Sequence, residues 1–171
     1  ELRKRFTEYV SHPITSGNKW QYISWAKSVD GVGDAKCLPL WNGAGTVKVI
    51  IVDSEKQLAG SELINKVQSY IDEQCPIGAD VTVTTATAVS INVTFSADVD
   101  ESTIESIKSN IRSYLRDVSF ANGYVSYAKI GQTILNTDGV DDYSNLKVNS
   151  KTENIAISET EIAVLGGVAV G

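Results

Sequence analysis

The side chains that could do chemistry are few in this sequence, and they stand far apart. His12 is the only histidine, and it precedes Pro13 at the end of a helical pattern, where a surface position is expected rather than a general base. Cys37 and Cys75 belong to no CxxC pair, and we interpret them as two free thiols. Nucleophilic chemistry stays open only if one of the cysteines lies beside His12 in the folded chain.

Acidic clusters and glycine pairs offer the remaining chemical alternatives, and none completes a motif. Asp138, Asp141 and Asp142 do not follow the order of an EF-hand calcium loop, so a solvated acidic turn is expected. The glycine pairs that begin at positions 31 and 43 do not continue into a phosphate-binding motif. The sequence therefore predicts no metal ion, no cofactor and no catalytic residue.

Two Asp-Gly-Val triplets, at 30–32 and 138–140, each follow a helical pattern and precede strand-like residues. Glycine can adopt the left-handed conformation that ends a helix, and the valine after it can fold back onto the last turn. We therefore predict structural helix stops at Gly31 and Val32 and again at Gly139 and Val140. Both glycines should have positive φ directly after a helix.

Hydrophobic spacing predicts the elements around these triplets. Apolar residues recur at helical intervals in a stretch that ends before Pro13, and also in 18–29, 60–73, 100–118 and 124–135. Asn18 and Asp100 are the predicted N-caps of the helices that follow them. Side chains at 80–95 alternate with a period of two, so either one long strand serves two sheets or two strands meet near Ala86.

The first triplet is followed by two strand-like runs that suggest a β-hairpin. Asn42 and Gly43 separate the runs and predict its turn, while Pro39 marks the first strand as an edge or bulged strand. Three further strand-like pieces follow the second triplet. The predicted fold class is α+β, with two related subdomains at 1–86 and 87–171, each a small, mostly antiparallel sheet packed with helices.

Composition fits a folded protein of ordinary type. The 171 residues are 42% hydrophobic and carry a formal net charge of −6, with scattered basic residues, which disfavours nucleic-acid binding. Apolar runs are much shorter than the roughly 20 residues that a bilayer span needs. The chain has no methionine and no signal peptide, and we expect it to be a fragment of a longer protein.

A long stretch of the chain resembles the baseplate J-like family of contractile-tailed bacteriophages. The resemblance is carried by "RKRFTEYVSHPITSGNKWQYISWAKSVDGVGDAKCLPLWNGAGTVKVIIVD", then by "YIDEQCPIGADVTVTTATAVSINVT", and finally by "GVDD" and the closing "VLG" strand. In many members proline precedes the glycine and valine of the triplets, whereas Asp30 and Asp138 stand there in this chain.

The resemblance implies a structural role. This chain would be the carboxyl-terminal portion of a baseplate wedge protein, present in several copies around the tail tube and joined to other wedge and tail proteins. It would be found in the virion tail baseplate after assembly in the bacterial cytoplasm. The family brings no catalytic or metal-binding residues. An active phage, a prophage and a tail-like particle stay equal alternatives, and homo-oligomerisation is left open.

Two other functions stay open at this point. A hydrolase or lyase would need acidic side chains such as those of Asp53, Glu55 and Glu73 to meet in a deep pocket. A surface-binding module, for example for a glycan, would need exposed aromatic residues.

The candidates for such a module are Trp20, Trp25 and Trp41, although two of them share one helix, where core packing is the expected use.

An assembly protein should also present exposed surfaces that bind its partners. The terminal "VLGGVAVG" is a candidate strand for pairing with a partner, although it is expected first to fill a place in its own sheet.

Overall fold

The structure is a computed structural model that describes residues 17–121 and 123–171. The helix predicted before Pro13, together with His12, lies outside the described residues. The chain divides into two units, Glu1–Ala86 (unit 1) and Thr87–Gly171 (unit 2).

Unit 1 is a three-stranded sheet with two described helices. Its elements in chain order are α1 (Lys19–Ser28), β1 (Val32–Pro39), β2 (Thr46–Asp53), α2 (Ser61–Gln74) and β3 (Asp80–Thr85). The strand order is β1-β2-β3, with β1 antiparallel and β3 parallel to the central strand β2. The predicted N-cap of α1 is confirmed, because the Asn18 side chain accepts a hydrogen bond from Gln21 N–H at 2.9 Å.

Unit 2 repeats the three-stranded arrangement. Its elements are β4 (Thr87–Ser96), α3 (Glu101–Val118), β5 (Tyr124–Val125), α4 (Tyr127–Leu135), β6 (Ser144–Val148), β7 (Ile155–Ala156) and β8 (Glu161–Val170). The strand order is β6-β4-β8, with β6 antiparallel and β8 parallel to β4, while β5 and β7 form a separate antiparallel pair. Asp100 caps α3 as predicted, since Oδ1 accepts from Thr103 N–H at 2.8 Å.

The predicted fold class, α+β with two subdomains, is confirmed, but the main sheets are mixed rather than mostly antiparallel. In unit 1 the long helix α2 connects the central strand β2 directly to β3, and a strand reached through such a helical crossover returns in the same direction. In unit 2 the long helix α3 is followed by α4 and the antiparallel strand β6 before the chain reaches β8, which pairs in parallel with β4. The segment of helix, triplet and antiparallel edge strand comes first in unit 1 and after the long helix in unit 2.

The long helices α2 and α3 bury the same positions. Val67 and Ile107 are each the seventh residue of their helix, Ile71 and Ile111 are each the eleventh, and all four are completely buried. Each helix packs on its sheet with this apolar stripe, and the buried side chains belong to one hydrophobic cluster in each unit.

The long alternating stretch forms two strands that separate at Ala86, which was one of the two predicted outcomes. Ala86 N–H donates to the carbonyl of Ile51 in the first sheet at 3.3 Å. The next amide, that of Thr87, donates to the carbonyl of Thr160 beside the second sheet at 2.9 Å. Consecutive peptide groups are therefore hydrogen-bonded in different sheets, with no linker between them.

Both triplets form the same kind of hydrogen-bonded turn. Val32 N–H donates to Val29 O, and Val140 N–H donates to Thr137 O, both at 3.2 Å. The glycine occupies the third position of each four-residue turn, with φ of 101° at Gly31 and 89° at Gly139. A turn with positive φ at its third residue favours glycine there.

The helices before these turns end earlier than the sequence analysis expected. Helix α1 ends at Ser28, where the cap residue Val29 is already extended with ψ of 124°. Helix α4 ends at Leu135, with Asn136 as its cap residue. The glycines thus shape the turn that follows each helix, and the turn carries the chain into β1 in unit 1 and towards β6 in unit 2.

Each turn also lies against the long helix of its own unit. A Cβ atom added to Gly31 would lie 3.2 Å from Leu63 Cδ1, and one added to Gly139 would lie 2.9 Å from Thr103 Oγ1. Leu63 and Thr103 are each the third residue of their helix. The repeated triplet therefore marks an equivalent close approach in the two units.

Side-chain hydrogen bonds hold the turns against these helices. Lys66 Nζ donates to Asp30 O at 3.2 Å in unit 1, and Asn110 Nδ2 donates to Thr137 Oγ1 at 2.9 Å in unit 2. Val140 is buried in the unit 2 core, and Val32 packs against the unit 1 core. The valines thus anchor each turn to the hydrophobic core of its own unit.

The free edge of β3 is closed by one side chain of α2. Gln68 Nε2 donates to Val81 O at 2.9 Å, and Gln68 Oε1 accepts from Val83 N–H at 2.8 Å. Asp80 N–H donates to Gly45 O, in the loop before β2, and so faces β2. Since peptide groups alternate in direction along a strand, those of Val81 and Val83 face away from β2. The Gln68 amide takes the place that the peptide group of a fourth strand would occupy.

We predict that Gln68→Ala destabilises unit 1 by about 1–3 kcal/mol, because it leaves one carbonyl and one amide of β3 without their partner. Urea unfolding and hydrogen exchange at the Val83 amide would measure the effect. Lys108→Ala is the matched control, since Lys108 is also the eighth residue of its helix but only pairs with exposed Glu105. The control should change stability by less than about 1 kcal/mol, and equal losses in both variants would contradict the capping role.

We also predict that Gly31→Ala and Gly139→Ala each destabilise the protein by roughly 1–2 kcal/mol, because positive φ is unfavourable for alanine. The loss should be larger at Gly139, where the added methyl group approaches Thr103 more closely. Gly60→Ser is the control, since Gly60 caps α2 with negative φ and open space around it, and serine is a good N-cap. Thermal unfolding would test this, and a neutral Gly139→Ala would contradict it.

Candidate interaction surface

The described residues bring together no set of side chains for catalysis or metal binding. They contain no group of three or more His, Cys, Asp or Glu side chains that could hold a metal ion. Asp53 Oδ1 accepts the amides of Glu55 and Gln57, so it orders the loop after β2, and Glu73 is exposed on α2. The acidic residues of the hydrolase alternative therefore do not meet.

Two shallow cavities also lack a set of acidic side chains for catalysis. One is lined by Ser28, Val29, Asp30, Lys66 and Tyr70, beside the first triplet, and contains a single carboxylate. The other lies at one end of the unit 2 sheet, between β6 and β8, and has no acidic side chain in its lining. Neither offers the paired buried carboxylates that acid–base hydrolysis needs.

Both cysteines are free thiols in the structure, and they differ in reactivity. Cys37 is buried in β1, and burial raises the pKa of its thiol to about 11, with a smaller opposing effect from the charge of Lys19. Cys75 is half-buried at the end of α2, where its thiol lies 3.7 Å from Asp72 O. A thiol held protonated by burial is a poor nucleophile.

The three tryptophans do not form one exposed platform. Trp25 packs against the unit 1 core and meets Tyr22 edge-to-face at 5.3 Å between ring centroids. Trp20 is half-buried on the same helix, with Lys19 Nζ 4.7 Å from the centroid of its ring. Only Trp41 is exposed, at 42%. The glycan-binding alternative therefore loses the cluster on which it depended.

Trp41 instead belongs to a small apolar surface, the hairpin-end surface, which we define as Leu40, Trp41 and Ile77. Leu40 is 66% exposed, and Ile77 is completely exposed. Leu40 and Trp41 lie in the loop between β1 and β2, and Ile77 lies in the loop between α2 and β3. The β1 strand ends and the parallel strands β2 and β3 begin at this end of the sheet, so the two loops are neighbours.

The first loop of this surface is two consecutive turns, rather than the two-residue turn suggested by Asn42 and Gly43. Gly43 N–H donates to Leu40 O at 3.3 Å, and Thr46 N–H donates to Gly43 O at the same distance. Asn42 N–H is held by Thr46 Oγ1 at 3.0 Å. Gly43 has φ of 103°, so glycine suits the junction between the turns.

Leu40 itself has positive φ, 59°, which is uncommon for a branched apolar residue. Its amide donates to Thr46 O at 2.7 Å, a bond that holds the backbone in this conformation. The residue with this conformation is an exposed leucine next to Trp41 in the chain, and a left-handed non-glycine residue costs of order 1–3 kcal/mol. Such an outlier at an exposed apolar position favours a role in binding a partner.

The second loop is fixed to the first by backbone contacts. Asp80 N–H donates to Gly45 O at 2.9 Å, and Ala79 N–H donates to Pro76 O at 3.1 Å, which closes the turn that contains Ile77. Lys48 Nζ lies 4.0 Å from the centroid of the Trp41 ring and is the cation closest to the surface in the described contacts. The surface is therefore apolar, with one basic group at its side.

Sequence reasoning found only part of this surface. Trp41 was singled out as an aromatic residue, and Asn42 and Gly43 as a turn, whereas Leu40 and Ile77 were missed. A usable signal was present in "PLWNG" and "CPIG", where a large apolar residue stands between a proline and turn residues. Apolar residues inside turn sequences are exposed more often than their type suggests.

Comparison with known proteins gives the class of protein to which this fold corresponds. The chain aligns over 99% of its length with a chain of the anti-feeding prophage baseplate, 6-fold symmetrised, with a TM-score of 0.65 and 7% sequence identity. It covers 41% of that chain. At such low identity the likeness shows the fold alone, and it is a fold that occurs in the anti-feeding prophage baseplate.

The sequence matches define the family. Residues 14–85 match the Baseplate J-like central domain, and residues 87–171 match the Baseplate J-like protein C-terminal domain. The chain belongs to the Baseplate J-like family, which confirms the resemblance found in the sequence.

Curated relatives of the chain include proteins of a prophage-like element and of a phage. The phage-like element PBSX protein XkdT of Bacillus subtilis is 37% identical over 182 residues, and Baseplate protein gp47 of Escherichia phage Mu is 26% identical over 179 residues. These alignments cover 99% and 97% of this chain but 52% and 49% of the relatives. The chain thus spans about half the length of the curated relatives it matches.

No described helix is long and apolar enough to cross a membrane.

We predict that iodoacetamide at pH 8 alkylates Cys75 at least tenfold faster than Cys37, because burial keeps the Cys37 thiol protonated and shielded. Mass spectrometry of the digested protein would give both rates. In urea the two cysteines should react at similar rates, which serves as the control. Equal rates in the folded protein would contradict the burial of Cys37.

Proposed function

We propose that this chain is a structural component of the baseplate wedge of a phage or phage-like contractile tail, and that it acts through protein–protein contacts. The observation that carries the proposal is the match of both units to the Baseplate J-like family, unit by unit. The scattered acidic groups and the protonated, buried thiol of Cys37 support a role without catalysis.

The proposed partners are other wedge and tail proteins of the same particle. The proposed location is the tail baseplate of the virion or particle, after assembly in the bacterial cytoplasm. Support for these partners comes from two similarities. One relative is Baseplate protein gp47 of Escherichia phage Mu, and the fold occurs in a chain of the anti-feeding prophage baseplate. We further propose subdomain bounds of 1–86 and 87–171, in line with the change of sheet between Ala86 and Thr87.

Within this role, the hairpin-end surface is the proposed contact of unit 1 with a neighbouring protein. Leucine, tryptophan and isoleucine side chains together on rigid turns are typical of the apolar centre of an interface. The backbone hydrogen bonds from Leu40 to Thr46 and from Asp80 to Gly45 hold the two loops in place before binding. A pre-formed surface of this kind binds without the cost of ordering a loop.

The role itself is tested in the element or phage that carries the full-length gene. Deletion of the gene should abolish assembled tails in electron micrographs of induced lysates, and the protein should be found by mass spectrometry in purified baseplates. Normal tails without the gene would contradict the proposed function.

We predict that Leu40→Asp and Ile77→Asp, made in the full-length protein, lower the number of complete tails at least tenfold, because each puts a charge into the apolar centre of a contact. Particle counts by electron microscopy would measure the loss. Leu58→Asp is the matched control, since Leu58 is 43% exposed in the same unit but lies beside Val52 at the other end of β2. The control should assemble normally.

Circular dichroism of the isolated variants should show an unchanged fold, because Leu40 and Ile77 are exposed. Normal tail numbers with both Leu40→Asp and Ile77→Asp would remove the hairpin-end surface from the proposal and leave the baseplate role to the deletion experiment.

A further inference from the structure

Strand β8 forms one edge of the unit 2 sheet, and its outer side faces no other strand among the described residues. Two hydrogen bonds show which of its peptide groups face β4. Thr87 N–H donates to Thr160 O at the start of the strand, and Gly171 N–H donates to Phe95 O after its end. Alternate residues of a parallel ladder bond to opposite sides, and the β-bulge at Gly166 shifts this alternation by one residue, so the peptide groups at 163, 165, 168 and 170 point outward.

The corresponding edge of unit 1 is closed, whereas this one is open. The amide of Gln68, the eighth residue of α2, occupies the outward groups of Val81 and Val83 on β3. The eighth residue of α3 is Lys108. Its Nζ lies 2.6 Å from Glu105 Oε1 and makes no described hydrogen bond to β8. No side chain in the described part of the chain donates to or accepts from the outward groups of β8.

A β-bulge at Gly166 interrupts the pairing of this strand with β4, but two other features that usually prevent edge pairing are absent from it. From Ile162 to Val170 it contains no charged residue and no proline. The other edges are less suited to pairing: β1 carries Asp34 and Lys36 and ends at Pro39, and β6 has only five residues. Residues 164–170 of β8 are all at least partly exposed, so a partner strand could reach this part of the edge.

We propose that the outer edge of β8 at 164–170 pairs antiparallel with the same edge of a second copy of this chain. The three-stranded sheets of the two copies would then form one six-stranded sheet, in the order β6-β4-β8-β8-β4-β6. Residues 165 and 168 of each copy would exchange backbone hydrogen bonds with the other around a two-fold axis. The proposal rests on the edge itself and does not depend on the baseplate role.

The side chains favour a second copy over an unrelated strand. Leu165, Val168 and Val170 pack against the unit 2 core from the edge and are only partly buried. A two-fold axis perpendicular to the sheet keeps the helix-covered faces on the same side, so Leu165 of each copy would lie opposite Val168 of the other. No charge opposes a like charge over this stretch, which makes the edge self-complementary.

The expected dimer is weak and reversible. Seven residues of strand extend for about 23 Å, and pairing along such an edge falls in the range of small interfaces, below about 1,200 Å². The association should therefore be visible only at high protein concentration, and it would be strengthened where many copies are held close together.

The test is sedimentation equilibrium of the full 171-residue chain from 10 μM to 1 mM. We expect a monomer–dimer equilibrium within this range. Val168→Pro removes an outward amide while leaving the bonds to β4, and Gly167 before it tolerates a following proline. It should weaken dimerisation at least tenfold. Val168→Ala, which keeps the amide, is the matched control and should stay within about threefold of the original chain.

Hydrogen exchange of the unaltered chain gives a second measurement that needs no variant. The amides of Val168 and Val170 should exchange slowly at 1 mM and rapidly at 10 μM, whereas the Gly171 amide, bonded to Phe95, should be insensitive to concentration. A chain that is monomeric up to 1 mM would overturn the proposal. A dimer that leaves both outward amides unprotected, or that persists in folded Val168→Pro, would overturn it as well.

Discussion

The architecture depends on the burial of one apolar stripe on each long helix. Val67 and Ile71 of α2, and Ile107 and Ile111 of α3, are completely buried against sheets of only three strands. A sheet this narrow is covered by the long helix together with one short helix. Each long helix therefore also contacts the parallel edge strand of its own unit, β3 beside α2 and β8 beside α3.

The turn at each triplet follows from the same packing. The chain must bring an antiparallel edge strand close to the start of the long helix, and only a residue without a side chain fits the gap of 2.9–3.2 Å beside Leu63 or Thr103. This explains why the triplet recurs although the order of elements differs between the units. It is repeated because the contact is repeated, and not because the segments have the same place in the chain.

Sequence patterns predicted the parts of the fold that depend on neighbouring residues. The caps at Asn18 and Asp100 and the four described helices were found because capping and amphipathic spacing are local. The parallel direction of β3 and β8 was missed, since it depends on connections between distant segments that spacing does not reveal. The ends of α1 and α4 were placed too late, because glycine marks positive φ without showing where the helix before it has ended.

The candidate surfaces were harder to predict because exposure is a property of the folded unit. Leu40 is exposed because a hydrogen bond to Thr46 holds it at positive φ, and nothing in its own residue type indicates this. The edge of β8 is open because a lysine stands on α3 where α2 has a glutamine, a difference that becomes meaningful only when the helices are compared position by position. Lysine cannot accept the bond of an outward amide, whereas the glutamine amide both donates and accepts. The same helical position thus carries the residue that closes the sheet edge in unit 1 and a residue that leaves it open in unit 2.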